Sequence, residues 1–390
     1  MRPEPKQTGR LRVVFVSHAY NEPGRITPFA SLGRRVDLTL VGPRENTNGA
    51  LQPPGDDEAH LLDVIPLPAV QLGRSQFLLR GLLKTLRSTK PDIVCVDYDA
   101  WHVQFVQVAL NLLAARSRAR IILIVKKNTF RAPNSLLGRG KRLIARWGIR
   151  RTSAIIAASE ITRDLYIRVL GARESSVYVQ PHLPIDVSRF HPVEATAGQK
   201  ELRVGFVGKI GTTKGVPELL AAFEQVRERS EVPIELWLAG RITDPVTQAA
   251  IMSADDVHHV GAINNDDLHL FMADIDLFVM PARVLPDHQE HDGRAVLEAM
   301  SSGVPCVVSD SGILPEIVSN GEGRVFPAGN TARLADCLQE LIASPELRRA
   351  LGRGARQRAV ATVSPDVLSD ARVAVFDETM EVRRERAKSR

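Results

Sequence analysis

Short runs of β-branched and other apolar residues alternate with helical patterns along the whole chain. In the first half these runs lie at residues 11–17, 36–42, 92–98, 120–125, 153–159 and 177–180. In the second half they lie at 202–208, 234–240, 257–261, 275–281, 304–309 and 323–327. Such runs are apolar on both faces, which is typical of parallel strands that helices cover on both sides. The alternation therefore predicts an α/β fold built from βαβ units.

The alternation is interrupted by a polar segment at 191–201. A chain of 390 residues also exceeds the size that one hydrophobic core usually supports. We therefore predict two Rossmann-like domains, at 1–190 and 202–365, joined by a linker at 191–201. Residues 366–390 are predicted to form a C-terminal helix with a basic tail, and this helix can cross back to the first domain.

The bulk composition excludes several classes of protein. A hydrophobic content of 44% with 25% charged residues is ordinary for a globular chain, so disorder is not expected. Apolar runs stay well short of the ~18 residues of a membrane span, and the first residues lack a secretory signal pattern. The three cysteines have neither metal-ligand spacing nor the even number of a disulfide framework. We expect a cytoplasmic protein with three buried thiols.

A helix that opens at a glycine is predicted between the strands at 275–281 and 304–309. Gly293 begins this helix, where N–H groups and the positive end of the helix dipole attract anions. We therefore assign Gly293, Arg294 and Ala295 to a phosphate-binding cradle. Glu298 can accept hydrogen bonds from a ribose diol, and Glu290 in the preceding loop can reach a sugar. The alternative is that Glu298 only interacts with the helix dipole and Glu290 is a solvated loop charge.

A glycine-rich loop follows the first strand of the second half. Gly208 is followed by Lys209 and Lys214, and two cations at this spacing can both reach one diphosphate. The alternative is a tight turn with solvated lysines.

These two segments together resemble the retaining family 4 glycosyltransferases, which have the GT-B architecture of two Rossmann-like domains facing each other across a cleft. The resemblance rests on Glu290 and Glu298, on the Ala-Met and Gly that follow, and on the run Pro-Cys-Val-Val-Ser-Asp at 305–310. The glycine loop at 208–215 also resembles the family's loop, with Lys209 where arginine is usual. This resemblance covers 202–345, whereas the first domain matches by strand pattern alone.

The resemblance implies a sugar transfer from a nucleoside diphosphate sugar to an acceptor hydroxyl with retention at the anomeric carbon. It implies that Glu290 contacts the sugar, that Glu298 binds the ribose, and that Lys209 and Lys214 with the amides after Gly293 stabilise the departing diphosphate. Ile263 lies where the family binds the nucleobase. We expect a UDP-sugar as donor, with a GDP-sugar as the alternative, and neither a metal nor a further cofactor. The acceptor is expected to be a glycan, a glycolipid or a small natural product.

The first half departs from the family pattern at its acceptor side. The loop after the first strand holds one glycine, Gly24, where the family commonly has a pair. After the fourth strand, where the family often has a histidine, this chain has the run 126–131, which begins with two lysines. His18, His102 and Lys127 follow strand ends, where open α/β sheets bind ligands, so we keep them with Gly24 as acceptor-side candidates. A lone histidine at such a position is more often structural.

A basic helix is predicted at 136–151, within a stretch from Arg116 to Arg151 that holds twelve basic and no acidic residues. Such a helix can contact an anionic membrane at the inner face, recruit an anionic acceptor, or present only a solvated basic face. Nucleic acid is not expected, since no recognised nucleic-acid module accompanies the charge.

Two other functions fit the same residues. A non-hydrolysing sugar-nucleotide epimerase on this architecture would turn over the nucleotide sugar without an acceptor. A catalytically silent partner would bind a nucleotide sugar or a membrane and assist a transferase.

Overall fold

The computed structural model describes residues 9–18, 26–46, 49–51, 60–72, 76–132, 135–193, 201–286, 288–318 and 321–388. The chain divides into two compact units. Unit 1 comprises Met1–Pro184 and Pro365–Arg390, and unit 2 comprises Ile185–Ser364. This division differs from the predicted linker at 191–201, because the Ile185 amide donates to the Val363 carbonyl and Arg356 donates to the carbonyls of Val187 and Phe190. Residues 185–190 are thereby attached to unit 2.

Unit 1 is built around a parallel seven-stranded sheet with the order β11-β10-β9-β8-β1-β2-β5. Its strands are β1 (Arg12–Val16), β2 (Asp37–Pro43), β5 (Leu62–Leu67), β8 (Ile93–Val96), β9 (Arg120–Val125), β10 (Ala154–Ala157) and β11 (Val177–Val179). Two short hairpins are formed by β3 (Glu45–Asn46) with β4 (Gly49–Ala50), and by β6 (Ala69–Gln71) with β7 (Phe77–Leu79). The helices are α1 (Ala30–Gly33), α2 (Leu82–Thr89), α3 (Val103–Ala114), α4 (Leu136–Arg151) and α5 (Glu160–Asp164).

Unit 2 repeats the pattern with a parallel six-stranded sheet of order β14-β13-β12-β15-β16-β17. Its strands are β12 (Leu202–Val207), β13 (Ile234–Ala239), β14 (Val257–Gly261), β15 (Leu277–Met280), β16 (Cys306–Ser309) and β17 (Gly323–Phe326). Its helices are α6 (Val216–Arg227), α7 (Pro245–Ser253), α8 (Leu268–Ala273), α9 (Arg294–Ser301), α10 (Leu314–Ile317), α11 (Thr331–Ala343) and α12 (Pro345–Val363). The prediction of two Rossmann-like α/β domains is confirmed.

The last helix, α13 (Pro365–Lys388), returns to unit 1, as predicted. Arg35 on the first unit's surface pairs with Asp370, and Phe376 is fully buried beside the strands of unit 1. Arg372 is also buried, where its guanidinium donates to the His182 carbonyl and lies over the Phe15 ring at 5.9 Å. The helix therefore completes the core of unit 1.

Within the residues that the structure describes, every helix is too short or too polar to cross a membrane.

Candidate functional site

The glycine loop of unit 2 is held against the end of β15. Gly215 has a positive φ of 71°, and a Cβ at this position would lie 1.9 Å from the Pro281 carbonyl oxygen. No side chain fits there, so glycine is required for the loop to approach the strand so closely. This packing fixes the direction in which Lys214, the preceding residue, projects.

Lys214 and Glu290 form an ion pair, although 76 residues separate them in the chain. Their side chains are only 19% and 10% exposed. Burial alone would raise the pKa of Glu290, but the charge and hydrogen bond of Lys214 outweigh it and hold that pKa below its usual value. The predicted sugar-binding carboxylate is therefore ionised at neutral pH.

Glu290 is also tied to the start of the following helix. Its Oε1 accepts from the Gly293 amide at 3.5 Å, and its own amide donates to Ser311 Oγ at 3.2 Å. Its carbonyl accepts from the Ile313 amide at 3.2 Å. These contacts leave the carboxylate little freedom to move away from Lys214.

Gly293 is the N-cap of α9, with a φ of 56° that favours glycine. A Cβ here would lie 2.1 Å from Ile317 Cδ1, so the absence of a side chain lets α10 pack against the helix start. Lys214 and the Gly293 amide both contact the Glu290 carboxylate. The structure thus brings a cation, a carboxylate and a helix N-terminus to one place.

Glu298 lies deeper than the sequence suggested. It is 2% exposed, and Arg294 one turn earlier donates from Nε to its Oε1 at 2.8 Å. Arg294 thus occupies one oxygen of this carboxylate. Arg294 therefore contributes a charged side chain to the site in addition to its amide, whereas Ala295 contributes only backbone.

Two predicted donor-site residues are not joined to this group by a hydrogen bond or ion pair within the described part of the chain. Lys209 is exposed directly after Gly208, at the end of β12. Ile263 is half-buried, two residues after β14. Their assigned roles remain predictions.

Arg283 is a basic residue of this region that sequence reasoning missed. Its Nε donates to Glu218 Oε1 at 2.6 Å, and its amide donates to the Thr213 carbonyl, next to Lys214. It follows the carboxyl end of β15, where ligands of parallel sheets bind, and that position is the signal that could have identified it.

The acceptor-side candidates in unit 1 fall into two groups. The rings of His18 and His102 both stack with the ring of Tyr98, at centroid distances of 5.1 and 4.8 Å. Lys127 instead pairs with the buried Asp99 at 3.2 Å. Burial raises the pKa of Asp99, and Lys127 offsets only part of that effect. Gly24 lies outside the described residues.

A buried polar pair in unit 1 was also missed. Asp97 after β8 accepts from Ser17 Oγ at 2.6 Å and lies 2.7 Å from His182 Nε2. Burial raises the pKa of Asp97, but the attraction of His182, with Lys126 and Ser17, lowers it to about 2. Both members of the pair follow carboxyl ends of strands, a signal that the sequence does contain.

Two Rossmann-type units, the second with a glycine-opened helix beside a lysine–glutamate pair, define the GT-B class of fold. Two family models cover most of the chain: "Glycosyl transferase 4-like domain" matches residues 27–182, and "Glycosyl transferases group 1" matches residues 188–358. The chain belongs to the family 4 type of GT-B glycosyltransferases.

Curated relatives and solved structures agree with this assignment. The chain is 28% identical over 206 residues to a GDP-mannose-dependent monoacylated alpha-(1-6)-phosphatidylinositol monomannoside mannosyltransferase of Corynebacterium glutamicum, over 48% of this chain and 54% of that protein. The chain thus spans little more than half the length of that relative. It is also 28% identical over 291 residues to the lipopolysaccharide core biosynthesis mannosyltransferase LpcC of Rhizobium leguminosarum bv. viciae, over 68% of this chain and 77% of that protein.

The fold is similar to that of Anabaena Alr3699/HepE, crystallised in complex with UDP. The TM-score is 0.73 at 17% identity, over 94% of this chain and 100% of that one.

Proposed function

We propose that the protein transfers a sugar from a nucleoside diphosphate sugar to an acceptor hydroxyl, with retention at the anomeric carbon. The observation that carries this proposal is the convergence of Lys214, Glu290 and the Gly293 amide on one point of unit 2. A cation and a helix N-terminus at one place suit a diphosphate, and a fixed carboxylate beside them suits sugar hydroxyls.

In this mechanism Lys214 and the first amides of α9 stabilise the diphosphate as negative charge develops on it. The bond from the anomeric carbon to the phosphate oxygen breaks, and a bond to the acceptor oxygen forms on the same face. The acceptor's proton passes to the departing phosphate. Glu290 accepts hydrogen bonds from the sugar, and on binding of the diphosphate Lys214 is shared between the carboxylate and the phosphate. Lys209, exposed on the same loop, supplies a second cation.

Glu298 is proposed to bind the ribose after Arg294 has turned from it towards the phosphates. Arg294 offers a guanidinium fork, which suits phosphate oxygens better than a single ammonium group does. Donor binding would therefore exchange one partner of Arg294 for another rather than leave a charge unpaired.

For the donor we propose to test GDP-mannose first and UDP-glucose second. The sequence resemblance favours a UDP-sugar, whereas the Corynebacterium glutamicum relative is GDP-mannose-dependent and the structural neighbour was crystallised with UDP. Calorimetric titration with GDP, UDP and the two sugar nucleotides measures this directly.

The ribose assignment is tested with Glu298→Gln, which keeps the shape of the side chain. We expect donor affinity to fall about tenfold or more, as for loss of a charged hydrogen bond. Glu346→Gln, at an exposed carboxylate of unit 2, is the matched control and should bind the donor as the wild type does. Thermal unfolding of both variants separates lost binding from lost folding, and an unchanged donor affinity in a folded Glu298→Gln would remove the assignment.

Incubation of the donor without an acceptor distinguishes the two alternative functions. An epimerase would convert the sugar nucleotide under these conditions. A silent partner would bind it and give no turnover with any acceptor. Release of the nucleoside diphosphate that depends on an added hydroxyl compound supports transfer.

We also propose that α4 contacts an anionic membrane surface. Leu136, Leu137 and Leu143 are 84%, 87% and 68% exposed. The fully buried residues of α4 are instead small, and a Cβ on Gly148 would lie 2.6 Å from the Ala100 carbonyl oxygen. Trp147 and Ile149 are partly buried against the core of unit 1. Exposed leucines among arginines are typical of helices that lie in a membrane interface.

Co-sedimentation with vesicles tests this contact. Binding should require anionic lipid and fall with salt, and Leu136→Ser with Leu137→Ser should weaken it. The matched control replaces Leu110 and Leu113, which are exposed on α3, by serine. Equal loss in both variants, or equal binding to neutral vesicles, would contradict the proposal. A cytoplasmic location with contact at the inner membrane face stays a prediction.

A further inference from the structure

A cavity of about 520 Å³ lies in unit 1, and none of the described acceptor-side candidates lines it. Its lining includes Arg120, the first residue of β9, with Ser153 and Ser176, which directly precede β10 and β11. All three belong to the amino edge of the parallel sheet. The acceptor-side candidates follow strands and belong to the carboxyl edge. Because β9 has six residues, the two edges are about 15–20 Å apart.

The lining of this cavity is strongly basic. Four arginines contribute to it, namely Arg120, Arg150, Arg151 and Arg173. Glu378 on α13 is the one acidic residue among the lining residues, and it already accepts a hydrogen bond from Tyr178. Burial and that bond raise the pKa of Tyr178 to about 12, so the hydroxyl stays a donor to Glu378.

Among the described residues, two arginines of this cavity lack the carboxylate partner that several other surface arginines have. Arg163, Arg227 and Arg324, for example, each pair with a carboxylate. Across the described ranges, by contrast, Arg150 and Arg173 make no ion pair, and the guanidinium of Arg151 lies over the Trp147 ring at 5.1 Å. Arg150 and Arg173 thus bring positive charge to a concave surface without an ion-pair partner in the described part of the chain.

We propose that this cavity, here named the amino-edge pocket, binds a small anion that carries two or more phosphate groups. Its volume lies within the range of small-molecule sites. Guanidinium groups bind phosphate oxygens through paired hydrogen bonds, and several of them can share two phosphates. The site is separate from the donor site, because Lys214 and Glu290 belong to unit 2. The inference does not rest on the proposed transfer reaction.

The pocket also links the anion to the last helix. Glu378, Thr379 and Val382 of α13 line it together with residues of the sheet. A ligand held by both would stabilise the attachment of α13, because a ligand that binds only the folded state raises its stability. The anion would then act as an effector of unit 1 rather than as a substrate.

Titration calorimetry with inorganic pyrophosphate tests the pocket. We expect two binding sites in the wild type, one in unit 2 and one in the amino-edge pocket. Arg150→Gln with Arg173→Gln should weaken one site more than about tenfold and leave the other unchanged. The control, Arg168→Gln with Arg349→Gln, makes the same change of charge at two exposed arginines outside the pocket and should keep both sites.

A second variant assigns each site. In Lys214→Met the remaining site should be the one that the Arg150 and Arg173 substitutions abolish. Pyrophosphate should also change the emission of Trp147, which contacts Arg151, and Trp147→Phe should lose that change. A single wild-type site that disappears in Lys214→Met would overturn the proposal. Two sites that persist unchanged in the Arg150 and Arg173 variant would also overturn it.

Discussion

Replacing Lys214 by methionine would leave the Glu290 carboxylate buried without its cation. Removing one partner of a buried pair costs about 3–5 kcal/mol, and this pair is partly exposed, at 19% and 10% of the two side chains. We therefore expect a loss of about 2–3 kcal/mol in the free energy of unfolding of unit 2 at pH 7.5. For a unit of this size, that loss corresponds to a fall in Tm of about 5–10 °C.

The loss of unfolding free energy in Lys214→Met should become smaller as pH falls. In the wild type the folded-state pKa of Glu290 is lowered, so its contribution to stability is present above the unfolded pKa and is lost as pH falls through the folded pKa. In Lys214→Met burial dominates and raises the folded pKa above the unfolded one. The variant's own penalty is then present at neutral pH and disappears as pH falls below about 4.5, where the carboxyl group is neutral in both states.

Urea unfolding at pH 7.5 and at pH 4 measures both effects. The wild type and the variant should differ by about 2–3 kcal/mol at pH 7.5 and by much less at pH 4. Arg349→Met removes one partner of an exposed pair in unit 2 and should cost less than about 0.5 kcal/mol at either pH. A Lys214→Met penalty of the same size at both pH values would refute the assignment of the loss to the Glu290 charge.

Three further results are expected. Gly215→Ala should cost more than about 2 kcal/mol in urea unfolding because its Cβ would meet the Pro281 carbonyl, whereas Gly329→Ala, with a positive φ but nothing within 4 Å, should cost only about 1–2 kcal/mol. Asp97 should stabilise unit 1 above pH 4 and lose that contribution between about pH 4 and pH 2; Asp97→Asn should therefore flatten the acid limb of the unfolding profile. Burial raises the pKa of the Cys95 and Cys306 thiols, so a thiol reagent should label neither before urea unfolds the chain.

Sequence patterns predicted the two main sheets almost completely. Each of the predicted apolar runs coincides with a strand, and most of these strands are buried, as expected for runs that are apolar on both faces; β14, with exposed middle residues, is an exception. The strand β5 was missed. It lies at the edge of the sheet, where half of its residues need not be apolar and where Pro66 is tolerated. The sequence of β5 therefore lacks the continuous apolar run from which most of the other strands were predicted.

Some contacts of the candidate site can be predicted from local spacing in the sequence, whereas others depend on tertiary packing. The approach of Glu290 to the Gly293 amide and of Arg294 to Glu298 follows from spacings of three and four residues along a loop and a helix. The pairing of Lys214 with Glu290 depends on how two separate loops pack after folding, and no local pattern encodes it. The same holds for Asp97 and His182, which lie 85 residues apart in the chain and follow strands that are not neighbours in the sheet.

The return of α13 to unit 1 has a consequence for biosynthesis. Residues of β1 and α1 are synthesised before unit 2, but the Phe376 and Arg372 side chains that complete their core are synthesised after it. Unit 2 is continuous and can close while the N-terminal half still lacks its final helix. During translation the apolar surface beside Phe15 therefore stays uncovered by α13 until the whole of unit 2 has been synthesised.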